Sequence, residues 1–330
     1  MEKALYPWLS KASRQLTAYI EAERVPHALL ISGAAGIGKT MLTQSFAKRL
    51  LCESSNNVQS ACHHCQSCRL FEGSNHPDFY LIQPAENGKQ IVVDEIRQLN
   101  QNLKLLPQYN QFRVVMICLA EQLNPAAANS FLKTLEEPGQ RTIFLLVSNA
   151  PSAVMPTILT RCQQVRIPMP PINLVSQWLS ETQHIENAHS LAAFSGSAPL
   201  YALELVANGE YENKLTVLKL FNVTQFKDFP AISITEIWTK YPAEFVIYIL
   251  ITGTLDMIRL TMDSEMHASD LYHPDQKQQL SHTAGLVPVK SLFGFLDQVY
   301  RVKQLLASQV NMQLVYESCF IQWRSMLDNK

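Results

Sequence analysis

Short apolar runs alternate with amphipathic stretches through the first half of the chain. Four of them, Ala28–Ser32, Phe79–Ile82, Arg113–Cys118 and Thr142–Ser148, have the length and aliphatic or aromatic character of strands. The first three are followed by helical stretches, and two of these are plain in the pattern. After Ile91, the residues Ile96, Leu99, Leu103 and Leu106 recur at helical spacing, and Ala128, Phe131, Leu132 and Leu135 form a second stripe. Asn124 is positioned to cap that second helix, with Pro125 in its first turn and Pro138 ending it. Strands alternating with helices predict an α/β fold with a parallel sheet.

The prolines at 168, 170 and 171 break this alternation, which bounds a first domain at residues 1–167. A short helical region containing Gly196-Ser-Ala-Pro199 follows, predicting a small domain over 168–208. Beyond it strand signals fade. Long helical patterns such as Phe295–Leu306 and Met312–Leu327 predict an all-helical domain over 209–330.

Composition narrows the function classes. A chain of 330 residues with 47% apolar and 17% charged residues has ample core material for more than one soluble domain. A net charge of −1 supplies no global field that would draw it onto nucleic acid, so contact with DNA would have to come through a local patch or an assembly. The N-terminus carries polar and charged residues where a signal peptide needs an apolar stretch. The longest apolar run, Phe245 to Leu255, is shorter than the ~20 residues that span a bilayer and reads as a buried helix. The cytoplasm is the expected compartment.

Gly33-Ala-Ala-Gly36-Ile-Gly38-Lys39-Thr40 fits G-x-x-x-x-G-K-[ST] at every specified position. Its glycines let backbone N–H groups turn toward phosphate oxygens, and the following helix adds its positive end. Lys39 would reach the β- and γ-phosphates, and the Thr40 hydroxyl would face Mg²⁺. Hydrolysis needs more: a carboxylate for the metal and an acid to polarise water, both at the end of a second strand. The strand Arg113–Ile117 is followed there by Cys118-Leu119, with Glu121 a few residues beyond. A thiol is a poor partner for Mg²⁺ and a leucine cannot orient water. The site is built for ATP and Mg²⁺ but not for turnover, and the loop alone does not fix whether nucleotide is held.

Cys52, Cys62, Cys65 and Cys68 form C-x9-C-x2-C-x2-C. Four thiolates close a tetrahedral shell around Zn²⁺ and leave no position for water, so the site reads as structural. Disulfides are disfavoured in the cytoplasm, while an iron–sulfur cluster is a second occupant for four cysteines. His63 and His64 lie within the loop and are not needed as ligands. Cys162 and Cys319 stand apart and read as buried thiols, and the four tryptophans as packing residues.

The loop helix running into these cysteines, with His76-Pro-Asp78 soon after, resembles the clamp-loader subunits of bacterial DNA polymerase III, members of the AAA+ class. Ala127-Ala-Asn-Ser-Phe-Leu-Lys-Thr-Leu-Glu-Glu-Pro138 and Thr160-Arg161-Cys162 are similar to the A-A-N-A-L-L-K-T-L-E-E-P helix and the Ser-Arg-Cys of gamma/tau and delta-prime. The likeness is strong over roughly the first two hundred residues. It implies an AAA+ P-loop domain with an inserted zinc module at about 52–68, a small helical lid and an all-α C-terminal collar. It also implies a hetero-pentamer with gamma/tau and delta, acting on the sliding clamp and primer-template DNA. Cys118-Leu119 departs from the gamma/tau Asp-Glu, and Pro199 stands where active members carry a nucleotide-sensing arginine. Both departures point to the delta-prime type. In that type Arg161 is expected to act in trans, as an arginine finger on ATP held by the neighbouring subunit. An active gamma-type ATPase is the alternative reading, and a P-loop nucleotide kinase a more distant one.

Overall fold

The four apolar runs are strands with the bounds their pattern predicts, and a fifth strand joins them. The computed structural model describes residues 5–54, 60–85, 89–103, 106–109, 112–221, 231–306 and 310–328. Two compact units divide at Pro170/Pro171.

In the first unit the elements run α1 (Ser10–Glu21), β1 (Ala28–Ser32), α2 (Lys39–Leu51), α3 (Gln66–Glu72), β2 (Phe79–Ile82), α4 (Val93–Asn102), β3 (Arg113–Cys118), α5 (Pro125–Glu136), β4 (Thr142–Ser148), α6 (Pro156–Leu159) and β5 (Gln163–Arg166). The strands form one sheet in the order β2-β3-β4-β1-β5, every pair parallel. That order sets the phosphate loop between β1 and α2 at the C-terminal edge of the sheet, as the expected P-loop domain requires. β1, β3 and β4 are buried along their whole length, which is why they read as unbroken apolar runs. Alternate side chains serve two cores. Leu30, Val115, Ile117, Phe144 and Leu146 pack with α4 and α5, while Leu29, Ile31, Val114, Ile143 and Leu145 pack with α1 and α2.

Two local expectations change. α4 ends at Asn102, so Leu103 only caps it and Leu106, 77% exposed, lies outside it. β5 escapes the pattern because Val165 is its one buried residue.

The second unit is helical: α7 (Ile172–Gln183), α8 (Ala188–Phe194), α9 (Pro199–Ala207), α10 (Glu210–Phe221), α11 (Ala231–Trp238), α12 (Ala243–Met262), α13 (Lys277–Ala284), α14 (Val289–Leu305) and α15 (Met312–Asp328). A single core runs from Val175 to Leu327 and includes Trp238 and Trp323. It is continuous across residue 208: the Phe194 ring meets Phe245 edge-on, and the Tyr248 hydroxyl donates to the Phe194 carbonyl. α12 extends well beyond the apolar run seen in the sequence. It is long and apolar enough to cross a membrane by length and composition alone. Its most apolar window is 72% buried within the unit, where it packs against α10, α13 and α14 as a core helix.

Candidate functional site

The phosphate loop leaves β1 at Ser32 and enters α2 at Lys39. Gly36 and Gly38 take left-handed backbone angles, with φ of 74° and 88°. A Cβ at Gly33 would fall 2.4 Å from the Ile167 carbonyl oxygen, and one at Gly38 would fall 2.7 Å from the Tyr6 ring. Backbone stands against a side chain at Gly33, and the Tyr6 ring together with the left-handed φ stands against one at Gly38. Trp8 stacks on Tyr6 with ring centroids 5.0 Å apart and donates its indole N–H to the Ile37 carbonyl at 2.8 Å, tying the N-terminal segment to the loop. Lys39 is buried, its ammonium donating to the Ala34 carbonyl, and Thr40 is exposed at the start of α2. Burial pulls the Lys39 pKa down to about 8, against the opposing charge of Glu121. A cleft of about 590 Å³ opens beside Gly33 at the C-terminal ends of β1 and β5, lined also by Ser152, Gln164, Arg166 and Pro168. Ligands of open parallel sheets bind at such strand ends. The tight glycine cradle and the helix start at Lys39 fit the phosphates of a nucleotide.

The end of β3 has a different chemistry. Cys118 is buried, and burial pushes its thiol up to about 11, so it stays protonated and offers no charge to a cation. Leu119 adopts a left-handed conformation, φ 55°, and opens a tight turn over Ala120–Gln122. The turn carries Glu121 back to the end of β4, where its Oε1 accepts the Asn149 N–H at 3.0 Å. Sequence spacing alone sets Glu121 too far along the chain, and the unusual Leu119 backbone is what shortens that distance.

Arg161 lies on the turn between α6 and β5. Its flanking residues Ile158 and Cys162 are buried in the core shared with α4 and α5, whereas α2 packs on the opposite face of the sheet. The side chain is 36% exposed; its guanidinium pairs with Glu136 at the end of α5 and donates to the Thr157 carbonyl at 2.9 Å. Among the described residues its polar contacts are with Glu136 and Thr157. α5 is held in turn by the predicted cap, Asn124 Oδ1 accepting the Ala127 N–H at 2.8 Å, a contact of the kind that stabilises a helix by about 1 kcal/mol.

The four cysteines converge. Their sulfurs all lie within 4.8 Å of one another, and Cys62 Sγ is 4.0 Å from Cys68 Sγ. Zn–S bonds of about 2.3 Å in a tetrahedron set sulfurs about 3.8 Å apart, so the donor set fits such an ion. The N–H groups of Cys62, Cys65 and Cys68 point at the sulfurs of Cys52, Cys62 and Cys65 at 3.4, 3.4 and 3.3 Å. Backbone N–H groups, led by that of His64, hold the Cys62 thiol down to about 6, whereas burial pushes the Cys52 and Cys68 thiols up, so that a bound cation would have to draw those two to thiolate. His64 is exposed, and the ring of half-buried His63 meets Glu72. His76 ties the module to the segment before β2, and Asp78 ties that segment to the stretch before β3. His76 Nε2 meets Ser67 Oγ on α3 at 2.8 Å, and Asp78 accepts the N–H groups of Gln108 and Tyr109 at 2.9 and 3.0 Å. The sequence marked this His-Pro-Asp only as a resemblance; its structural role needs the fold to be seen.

Residues 8–171 match the family described as DNA polymerase III, delta subunit, and residues 209–325 match DNA polymerase III, delta subunit, C terminal. The chain is 32% identical to the DNA polymerase III subunit delta-prime of Pseudomonas aeruginosa over 328 residues, covering 98% of each. It is 28% identical to the delta-prime subunit of Bacillus subtilis over 308 residues, covering 90% of this chain and 91% of that one. Among solved structures, a gamma subunit-related protein of Thermotoga maritima matches 96% of this chain and 99% of its own at 16% identity, with a TM-score of 0.49.

Proposed function

The chain belongs to the DNA polymerase III delta-prime family, and from that premise we propose that it is a ring subunit of a bacterial clamp loader that assists catalysis on its neighbour. Its partners in this reading are gamma/tau and delta, and together they place the sliding clamp on primed DNA in the cytoplasm. One observation supports the division of labour. The cation suited to stabilising a transferring phosphoryl group, Arg161, engages Glu136 and Thr157 at the edge of the unit, while the chain's own β3 ends in Cys118-Leu119. A guanidinium brought against a neighbour's γ-phosphate neutralises the charge that develops there in the transition state. The chain's own phosphates would be held by Gly33, Gly36, Gly38, Lys39 and Thr40, with no strand-end acid to activate water.

The remaining roles follow the same reading. Zn²⁺ closes the Cys52, Cys62, Cys65 and Cys68 module as a structural ion. Helices α7 to α9, over 168–208, serve as the lid, and 209–330 as the collar through which subunits assemble.

Reconstitution tests the role. Clamp loading on primed DNA by gamma/tau and delta is expected to require this chain, measured by retention of labelled clamp on circular DNA. Full loading in its absence would contradict the proposal.

A further inference from the structure

Glu121 has an environment that an incidental surface acid does not explain. One carboxylate oxygen is anchored by the Asn149 N–H, and the other, Oε2, is shielded from solvent with no hydrogen-bond partner among the described residues. Leaving a buried carboxylate oxygen unpaired is costly, and a site that tolerates it implies a group that completes it. The end of β4 lies against the phosphate loop, where the Gly33 N–H donates to the Ser148 carbonyl at 3.3 Å, yet the loop lysine does not complete Glu121. Lys39 feels the Glu121 charge, yet its ammonium is turned onto the Ala34 carbonyl within the loop. The completing group must therefore arrive with the ligand. Beside a phosphate loop, the group that does this is a divalent cation or one of the waters it keeps.

We infer that Glu121 takes the place of the missing strand-end carboxylate, so that the chain's own phosphate loop binds a nucleoside di- or triphosphate in a magnesium-dependent way. Geometry explains how a residue beyond the strand end does this: the left-handed Leu119 and the turn at Ala120–Gln122 fold the chain back on the end of β4. It also separates binding from turnover. The Asn149 N–H fixes the Glu121 carboxylate in one orientation, and Leu119, beside the strand end, has no proton acceptor. The cleft beside Gly33 gives room for more than a free phosphate. This inference rests on the reading of the Lys39 loop as a phosphate site and is independent of the role of Arg161.

Calorimetric titration of the full chain with ADP, in magnesium and in EDTA, tests it. Wild type is expected to bind more tightly in magnesium. Glu121→Gln keeps the acceptor for Asn149 and so keeps the fold. It should bind as wild type does in EDTA while losing roughly 10–100-fold of the magnesium advantage. Glu121→Asp, which retains the charge, should recover part of that advantage. Lys39→Ala should lose binding in both conditions. A glutamine variant with the wild-type magnesium-to-EDTA ratio overturns the role of Glu121 and leaves the loop reading standing, as does an aspartate variant no better than glutamine. Absence of binding by wild type in either condition overturns both.

Discussion

His273 and Asp256 show how far burial can move a titration within the helical unit. His273 is fully buried, its Nε2 meeting Thr252 Oγ1 at 2.9 Å, and its backbone N–H donates to Asp256 at 2.8 Å. Burial, reinforced by the Lys214 charge, pulls the His273 pKa down to about 3, and burial pushes Asp256 up to about 6. The signs oppose. Below the ordinary histidine pKa of about 6.5 the unfolded chain takes up a proton that folded His273 refuses, so stability falls as pH drops from there toward 3. Asp256 holds its proton more tightly when folded, so its contribution grows as pH falls through 6 toward its unfolded value. Comparing wild type with His273→Asn cancels the Asp256 part. The stability advantage of wild type is expected to shrink on acidification below pH ~6.5, by up to ~1.4 kcal/mol per pH unit, in urea unfolding. A difference that does not change with pH would show that His273 titrates normally. At this scale the cysteines and the phosphate loop were legible because fixed spacing reports them. Glu121 was visible only as an acid a few residues beyond the strand end, because its place beside β4 depends on one residue with positive φ, Leu119.

Elements were legible where the apolar run is unbroken, whether buried throughout, as in β1, β3 and β4, or only at Ile82, as in β2. β1 to β4 carry unbroken apolar runs, and the Asn124 cap with Pro125 fixes where α5 starts. β5 was hidden because an edge strand with polar, exposed residues has no pattern of its own; its pairing with β1 holds it. The length of α12 was hidden because Asp256 and Arg259 interrupt its apolar run, and their partners come from the segment around Tyr272 and His273. The cysteine module has a small core of the four cysteines and Ala61, so its order is expected to come from a bound ion. Cys65→Ser is expected to release the metal, measured by atomic emission, and to lower the melting midpoint of the first unit by ~2–4 °C per kcal/mol lost. Unchanged melting without metal would argue against a structural ion.

For the whole molecule, two features are complementary. Its surface charge nearly cancels, so it is not built to seek DNA alone. In the proposed reading its nucleotide chemistry is divided between a loop whose neighbouring strand ends in Cys118-Leu119 and an arginine set at an edge of the same unit, so that catalysis needs a partner. The decisive measurement is DNA-stimulated ATP hydrolysis by the clamp loader reconstituted with wild type or with Arg161→Ala. With assembly intact, the site facing this chain is expected to lose ~10³-fold or more of its turnover, so that the complex forfeits that site's share. Hydrolysis at the wild-type rate by a fully assembled Arg161→Ala complex would contradict the arginine's action in trans.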